Sequence, residues 1–353
     1  MDLHSEQLHT ATPDSYRLFL RRKRLVTLVL LTAVLTAALL SLTSGSAGLS
    51  LAELADTLTG GGTAQSRAIV FHVRLPRVAV AVVVGAALAL AGCVMQNILR
   101  NPLASASTLG VSQGASFGAA FAIIVLNMGT VGALGNMAIP VCAFVGSMGV
   151  ALVILALSRI RQINAQGIVL AGTAISAMFS GATTLMQYFA NEIELTTLVF
   201  WTYGSLSSTD WGDVGVMAVI LLLVSVYYVL HRWDYNALLS GEEIAVSLGI
   251  NVKRLTMSNM VLCCLISSVI VSYVGLINFI GLIAPHIVRL VVGNNHAYLI
   301  PGSAMAGALI LLLGDLFSRV VISPVVLPIG AITSFLGGPM FLYLLFKGGK
   351  KKC

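Results

Sequence analysis

Charge is what this chain has least of. Asp, Glu, Lys and Arg make up 9% of its 353 residues, against roughly a quarter in a soluble domain, which excludes a water-facing globular fold. Carboxylates inside apolar runs are scarcer still. Asp315 is the one candidate, near a helix end, and that scarcity argues against a proton-coupled carrier working alone. A nucleotide loop is also missing. No G-x-x-x-x-G-K-[ST] run occurs, and the Gly349-Lys350 pair is followed only by more lysine and Cys353, so the chain cannot cradle ATP phosphates by itself. Of the five cysteines (Cys93, Cys142, Cys263, Cys264 and Cys353), four sit in apolar runs and none has a metal-ligand spacing. They read as small core hydrophobes, and no metal or cofactor is expected. No small-residue cleavage pattern precedes the first apolar run, which is therefore expected to be retained.

What is present is apolar sequence. Hydrophobic residues make up 58% and the mean hydropathy is +0.96, the composition of an integral membrane protein. At roughly 20 apolar residues per crossing, the length accommodates about ten helices and no sizeable soluble domain. Apolar runs at 25–42, 78–99, 108–128, 138–157, 167–190 and 213–230 read as six spans. The segment 191–212 mixes Glu192, Glu194, Trp201, Tyr203 and Asp210, as an interfacial element does. Residues 256–292 are apolar for 37 positions. As one helix they would reach about 55 Å, nearly double the hydrocarbon thickness, so they should form two spans turning between Tyr273 and Ile280. Runs at 299–316 and 325–346 complete ten, the last interrupted by Pro328, Gly330, Gly337-Gly338 and Pro339. The expected fold is an all-α integral membrane bundle. Residues 1–24 form a basic extension, 25–346 the ten-helix domain with a loop at 235–255, and 347–353 a basic tail.

An even number of spans puts both termini on one side, and both are basic, so the positive-inside rule places them in the cytoplasm. Under that assignment sixteen of the twenty Lys and Arg fall at cytoplasmic ends. Only Arg67, Arg74, Arg77 and Arg319 lie outside. One missed or invented span would scramble that asymmetry.

Three polar features interrupt the apolar pattern. Arg74 and Arg77 sit at i and i+3 around Pro76, and Arg319 falls where the ninth helix should end. All three can meet at one outer mouth, either pairing with Asp315 and lipid headgroups or presenting bidentate guanidinium forks to carboxylates of an external partner. Short breaks at Asn101-Pro102-Leu103 and Asn164-Ala165-Gln166 lie at cytoplasmic helix ends, where non-helical backbone makes either a simple turn or the lining of a gate. The third is the island from Trp233 to Leu255. Its alternation of apolar and polar residues suits two short helical turns broken near Ser240-Gly241 and ended at Gly249. An ordinary inter-helix loop and a partner-binding surface both fit this pattern. Gly85, Gly92, Gly110, Gly114, Gly118, Gly302 and Gly307 fall in small-residue spacings that allow helices to pack closely.

The stretch RLPRVAVAVVVGAALALAGCVMQNILRNPLASASTLGVSQGASFGAA, from Arg74 to Ala120, closely resembles the signature of the FecCD family. Its members are permease subunits of bacterial ABC importers for iron-siderophores, haem and vitamin B12. INFIGLIAPHIVRL (Ile277 to Leu290) and LPIGAITSFLGGPMFLYLL (Leu327 to Leu345) match two further signatures in order. Ser105 departs from the acidic residue common after NPLA. The resemblance implies a type II ABC importer permease in the cytoplasmic (inner) membrane of a bacterium or archaeon. It further implies a second permease subunit, two ABC ATPase subunits and an extracytoplasmic substrate-binding protein, with an iron-siderophore as the first-choice cargo and haem or a corrinoid as alternatives. By that likeness Arg74, Arg77 and Arg319 would meet glutamates of the binding protein. Leu239, Ser240, Gly241, Glu242, Glu243, Ala245 and Leu248 would seat in the ATPase, and Asn101, Pro102, Leu103, Asn164, Ala165 and Gln166 would lie at an inner constriction. No enzymatic activity of the chain itself and no nucleic-acid partner are expected.

The topology is tested by Ser240→Cys in a cysteine-free background. A membrane-impermeant maleimide should label it from the cytoplasmic side alone; labelling of intact cells from outside would overturn the assignment.

Overall fold

The computed structural model describes residues 13–45, 50–128, 132–161 and 165–349. Residues 1–12 of the basic extension, Asn164 of the expected gate, and 350–353 of the tail lie outside them. The described residues form helices joined by short connections, with no strand among them. The helices are α1 (Pro13–Thr43), α2 (Leu51–Leu58), α3 (Ala64–Ala68), a π-helical stretch (Ile69–Arg74), α4 (Leu75–Ile98) and α5 (Val111–Ala120), the last continued by a second π-helical stretch (Phe121–Val125). Then come α6 (Gly132–Arg161), α7 (Ala165–Phe189), α8 (Glu192–Tyr203), α9 (Trp211–Leu230), α10 (Arg232–Leu239), α11 (Glu242–Ser247), α12 (Val252–Val274), α13 (Ile280–Val292), α14 (His296–Val320) and α15 (Ile329–Gly349).

Seven of these regions are long and apolar enough to cross a bilayer: 21–43, 64–98, 137–158, 167–189, 211–230, 252–274 and 296–320. Three shorter apolar helices, Val111–Val125, Ile280–Val292 and Ile329–Tyr343, lie where the sequence pattern places further spans. The run from 256 to 292 divides as its length demands. α12 ends at Gly275, whose φ of +73° suits glycine, and α13 begins after Phe279.

Two expectations change. The basic run Arg21–Arg24 begins in the third turn of α1 and is not a segment ahead of it. The last helix is not interrupted: α15 runs unbroken through Gly337, Gly338 and Pro339. A Cβ on Gly337 would come within 2.6 Å of the Phe279 Cβ, so that glycine admits a neighbouring ring and does not break the helix.

α4 is the buried axis. In its apolar region 83% of residues are buried, against 22% in the spans containing α7 and α9. It packs most extensively against α14, and next against α12 and α13. Close approach to α14 depends on two glycines. A Cβ on Gly85 would collide with the backbone of Gly307 and Ala308, and a Cβ on Gly307 with the Gly85 carbonyl. Backbone-to-backbone packing of this kind is how helices associate where lipid removes the hydrophobic driving force. The two helices run antiparallel, since the early Arg77 of α4 meets the late Asp315 of α14 while the late Asn97 meets the early His296.

Candidate functional site

At one end of the α4–α14 pair the three expected arginines do meet. Asp315, fully buried, accepts Arg77 Nε at 2.8 Å on Oδ1, with Arg77 Nη2 also 2.8 Å from that oxygen, and forms an ion pair without a hydrogen bond to Arg319, whose Nη2 lies 3.1 Å from Oδ2. Arg319 also donates to the Ser44 carbonyl at 2.9 Å and the Ser41 carbonyl at 3.3 Å. Arg74 donates to the Thr43 carbonyl at 3.1 Å and also to that of Leu42. A helix leaves its last four carbonyls without intrahelical donors. The two guanidinium groups therefore cap α1 while Asp315 ties Arg77 to Arg319. A π-helical stretch directly before α4 sets the angle at which Arg74 emerges, and the Trp211 indole donates to the Phe71 carbonyl within it at 2.8 Å.

This cluster is mostly buried. Arg74 is 5% exposed, and the side chains of Arg77 and Arg319 are 12% and 10% exposed. Their remaining surface lines an open pocket of about 240 Å³ with Ser44, Gly45, Ile69, Val73, Ser323, Pro324 and Val326. Among the described residues no carboxylate lines it. Among the described residues, Arg77 and Arg319 share the one buried acid, so the pair keeps a net positive charge beside the opening. Both readings of these arginines thus have a physical footing: they pair internally, and they leave a cationic mouth.

At the other end α10 and α11 form the island. Gly241 joins them at φ +132°, a conformation that only glycine adopts readily. α11 closes with bonds from Gly249 N to the Val246 carbonyl (2.9 Å) and from Ile250 N to the Ala245 carbonyl (3.0 Å), with Gly249 at φ +83°. That pairing is the Schellman arrangement, and it sets the expected end at Gly249. Leu238, Ala245 and Val252 form a small core with Ala237 and Ile250. Outside it Leu239, Ser240, Glu242, Glu243, Ile244, Val246 and Leu248 are exposed. Of the coupling residues expected, Ala245 alone faces inward, where it supports the exposed ones.

The turn after α4 is held by Asn101, whose Oδ1 accepts the Leu103 amide at 2.9 Å. Pro102 and Leu103 project, with Arg100 at φ +44°. Ala165 and Gln166 open α7, and Asn164 lies outside the described residues.

Sequence reasoning missed a buried polar cluster under α10. Asn97 Nδ2 donates to the Tyr235 carbonyl (3.1 Å) and lies 2.9 Å from His296 Nε2, while Tyr235 Oη donates to Asn259 Oδ1 at 2.6 Å. Burial pushes the Tyr235 phenol well above its ordinary range, which keeps it protonated and donating. The available signal was the placement of Asn97 and Asn259 in apolar runs, where unpaired polar groups are costly.

A multi-pass helical membrane protein built on one buried helix, with polar clusters at both ends, has the architecture of a transport permease. The model described as the FecCD transport family matches residues 31–347. The chain is 41% identical over 345 residues to a Methanocaldococcus jannaschii protein described as an ABC transporter permease protein, covering 96% of this chain and 99% of the other. It is 36% identical over 324 residues to the hemin transport system permease protein HmuU of Yersinia pestis, covering 92% and 96%. To the vitamin B12 import system permease protein BtuC of Salmonella paratyphi A it is 35% identical over 317 residues, covering 90% and 93%. A solved structure described as an inward-facing metal-chelate type ABC transporter superposes with a TM-score of 0.80 at 30% identity, covering 91% of this chain and 99% of that one. The chain belongs to the FecCD transport family and is an ABC importer permease.

The weight carried by the buried carboxylate can be measured. Asp315→Ala leaves Arg77 and Arg319 without their shared partner, and breaking a buried pair costs about 3–5 kcal/mol. The purified variant should melt several degrees below the parent in a thermal fluorescence assay; an unchanged melting temperature would show that the arginines do not depend on Asp315.

Proposed function

We propose that this permease is one half of a homodimer or close heterodimer that carries a metal chelate into the cytoplasm, with ATP hydrolysed on separate ABC ATPase subunits. The observation that carries the reading is the α10–α11 element. It is held by an apolar foot yet exposes Leu239, Ile244 and Leu248 beside Glu242 and Glu243, in a chain whose sequence has no phosphate-binding loop of its own. A rigid, part-apolar projection outside the spans is what a partner needs in order to push on the bundle. The ten-crossing topology with cytoplasmic termini belongs to the same proposal.

The mouth of Arg74, Arg77 and Arg319 is the proposed docking place for an extracytoplasmic binding protein. Its cationic, acid-free lining suits carboxylates on that partner. Asp315 and the α1 carbonyls hold the guanidinium groups in place before docking, so less ordering remains to be done on contact. Asn101, Pro102 and Leu103, with Asn164, Ala165 and Gln166, are the proposed inner constriction. The cargo is a metal chelate. Iron-siderophores remain the first choice from the sequence, and the haem and vitamin B12 permeases among the relatives mark the alternatives.

The test is uptake into proteoliposomes holding the permease and its ATPase, supplied with binding protein and a panel of ferric siderophore, haem and cyanocobalamin. One of these should enter only with ATP inside the ATPase compartment; entry driven by an ion gradient without ATP would contradict the reading. In the same assay Gly241→Pro with Glu243→Lys should hydrolyse ATP without uptake, because proline cannot adopt φ +132°.

A further inference from the structure

The inner end of α4 carries two adjacent amides that face different neighbours. Gln96 Nε2 donates to the Gly281 carbonyl of α13 at 3.2 Å, and its Oε1 accepts Arg289 Nη2 at 3.1 Å. Asn97 faces α10 and α14. Its Nδ2 donates to the Tyr235 carbonyl and to His296 Nε2. His296 Nδ1 lies 3.1 Å from Asn236 Oδ1, which also accepts the His296 backbone amide at 2.8 Å. Asn236 Nδ2 then reaches Asn295 Oδ1 at 3.3 Å.

One assignment of protons satisfies this chain. An amide oxygen only accepts, so His296 must donate from Nδ1 and accept at Nε2, where Asn97 supplies the hydrogen. The result is a directed run of bonds from α4 through α14 to α10, with Asn97, Tyr235, Asn259 and His296 all buried. Apolar residues of similar shape would fill this space without needing such matching. What the bonds add is a fixed relation among three helices.

The same residues hold the turn that follows α4. The Asn97 carbonyl accepts the Arg100 amide at 3.0 Å, and the Gln96 carbonyl accepts the Asn101 amide at 3.1 Å. Arg100, at φ +44°, sits in a region disfavoured for a residue with a side chain. Asn97 Oδ1 is buried with no partner. An unpaired buried acceptor is costly, and it is what a group that exchanges partners between two states would show in one of them.

We propose that Asn97, His296 and Asn236 form the linkage that carries displacement of α10–α11 to the end of α4 and so to the Asn101–Leu103 turn. They are positioning residues: none belongs to the exposed coupling surface or to the turn itself. The proposal rests on the ATP-driven reading above and specifies how motion enters the bundle. A push on α10 moves the Tyr235 carbonyl and Asn236 together. Asn97 follows through two bonds, and the Arg100–Leu103 backbone follows through two more.

The experiment uses the permease with its ATPase in lipid nanodiscs, spin-labelled at Leu103→Cys, and compares distances without nucleotide and with ATP plus orthovanadate. Label distances across the permease dimer should shift in the parent and in His296→Gln, whose amide can still accept and donate. Asn97→Leu and His296→Leu should assemble and leave ATP hydrolysis at the parent rate while losing most of that shift. A full shift in both leucine variants would overturn the linkage. A second measurement needs no change in the cluster: labels at Trp233→Cys and Leu103→Cys in one chain should keep their separation when vanadate traps the complex. A change there as large as the shift across the dimer would also overturn it. Absence of any nucleotide-dependent change in the parent would overturn the ATP-driven reading and the linkage with it.

Discussion

The close antiparallel contact between α4 and α14 is the constraint on which the other features depend. Gly85 and Gly307 let the two backbones meet, and the Arg77–Asp315 and Asn97–His296 contacts at the two ends of the pair presuppose that approach. The twenty residues from Arg77 to Asn97 rise about 30 Å as a helix, which is the thickness of the hydrocarbon layer. Asp315 and His296 therefore meet their α4 partners about one hydrocarbon thickness apart, a spacing that suits polar groups placed at the two boundaries of a bilayer. A longer side chain at either glycine would separate the helices and loosen both clusters together.

The clusters differ in character. At the arginine end a single buried carboxylate is shared by Arg77 and Arg319, whose remaining surface faces an opening. At the other end the contacts are neutral, buried and matched donor to acceptor apart from the Asn97 oxygen. The first arrangement suits recognition of an anionic surface, since charge acts at a distance and steers approach. The second suits transmission, because short directional bonds between buried groups resist shear.

Much of this was legible in the residue pattern. The length of the run from 256 to 292 forced a division between Tyr273 and Ile280, and the chain turns from Gly275 to Phe279. Ser240-Gly241 and Gly249 marked both helix breaks of the island, because a positive φ selects glycine locally. The convergence of Arg74, Arg77 and Arg319 followed from counting spans. Their burial did not, since Asp315 lies 238 residues from Arg77 and a pattern along the chain does not report how far an arginine sinks between helices. The π-helical stretch before α4 left no compositional mark. The polar cluster around Asn97 escaped for the opposite reason: asparagine and histidine at helix ends are common, and only the pairing of α4, α10, α12 and α14 makes these a unit.

The central claim is that the two ends of the α4–α14 pair act as one body, and thermodynamic linkage tests it directly. If nucleotide at the inner end shifts the bundle, it must shift affinity for the partner at the outer end, and the reverse must hold equally. The measurement is the affinity of the binding protein for the permease–ATPase complex in nanodiscs, with and without ATP plus orthovanadate. A change of about fivefold or more is predicted; an affinity indifferent to nucleotide would contradict the account.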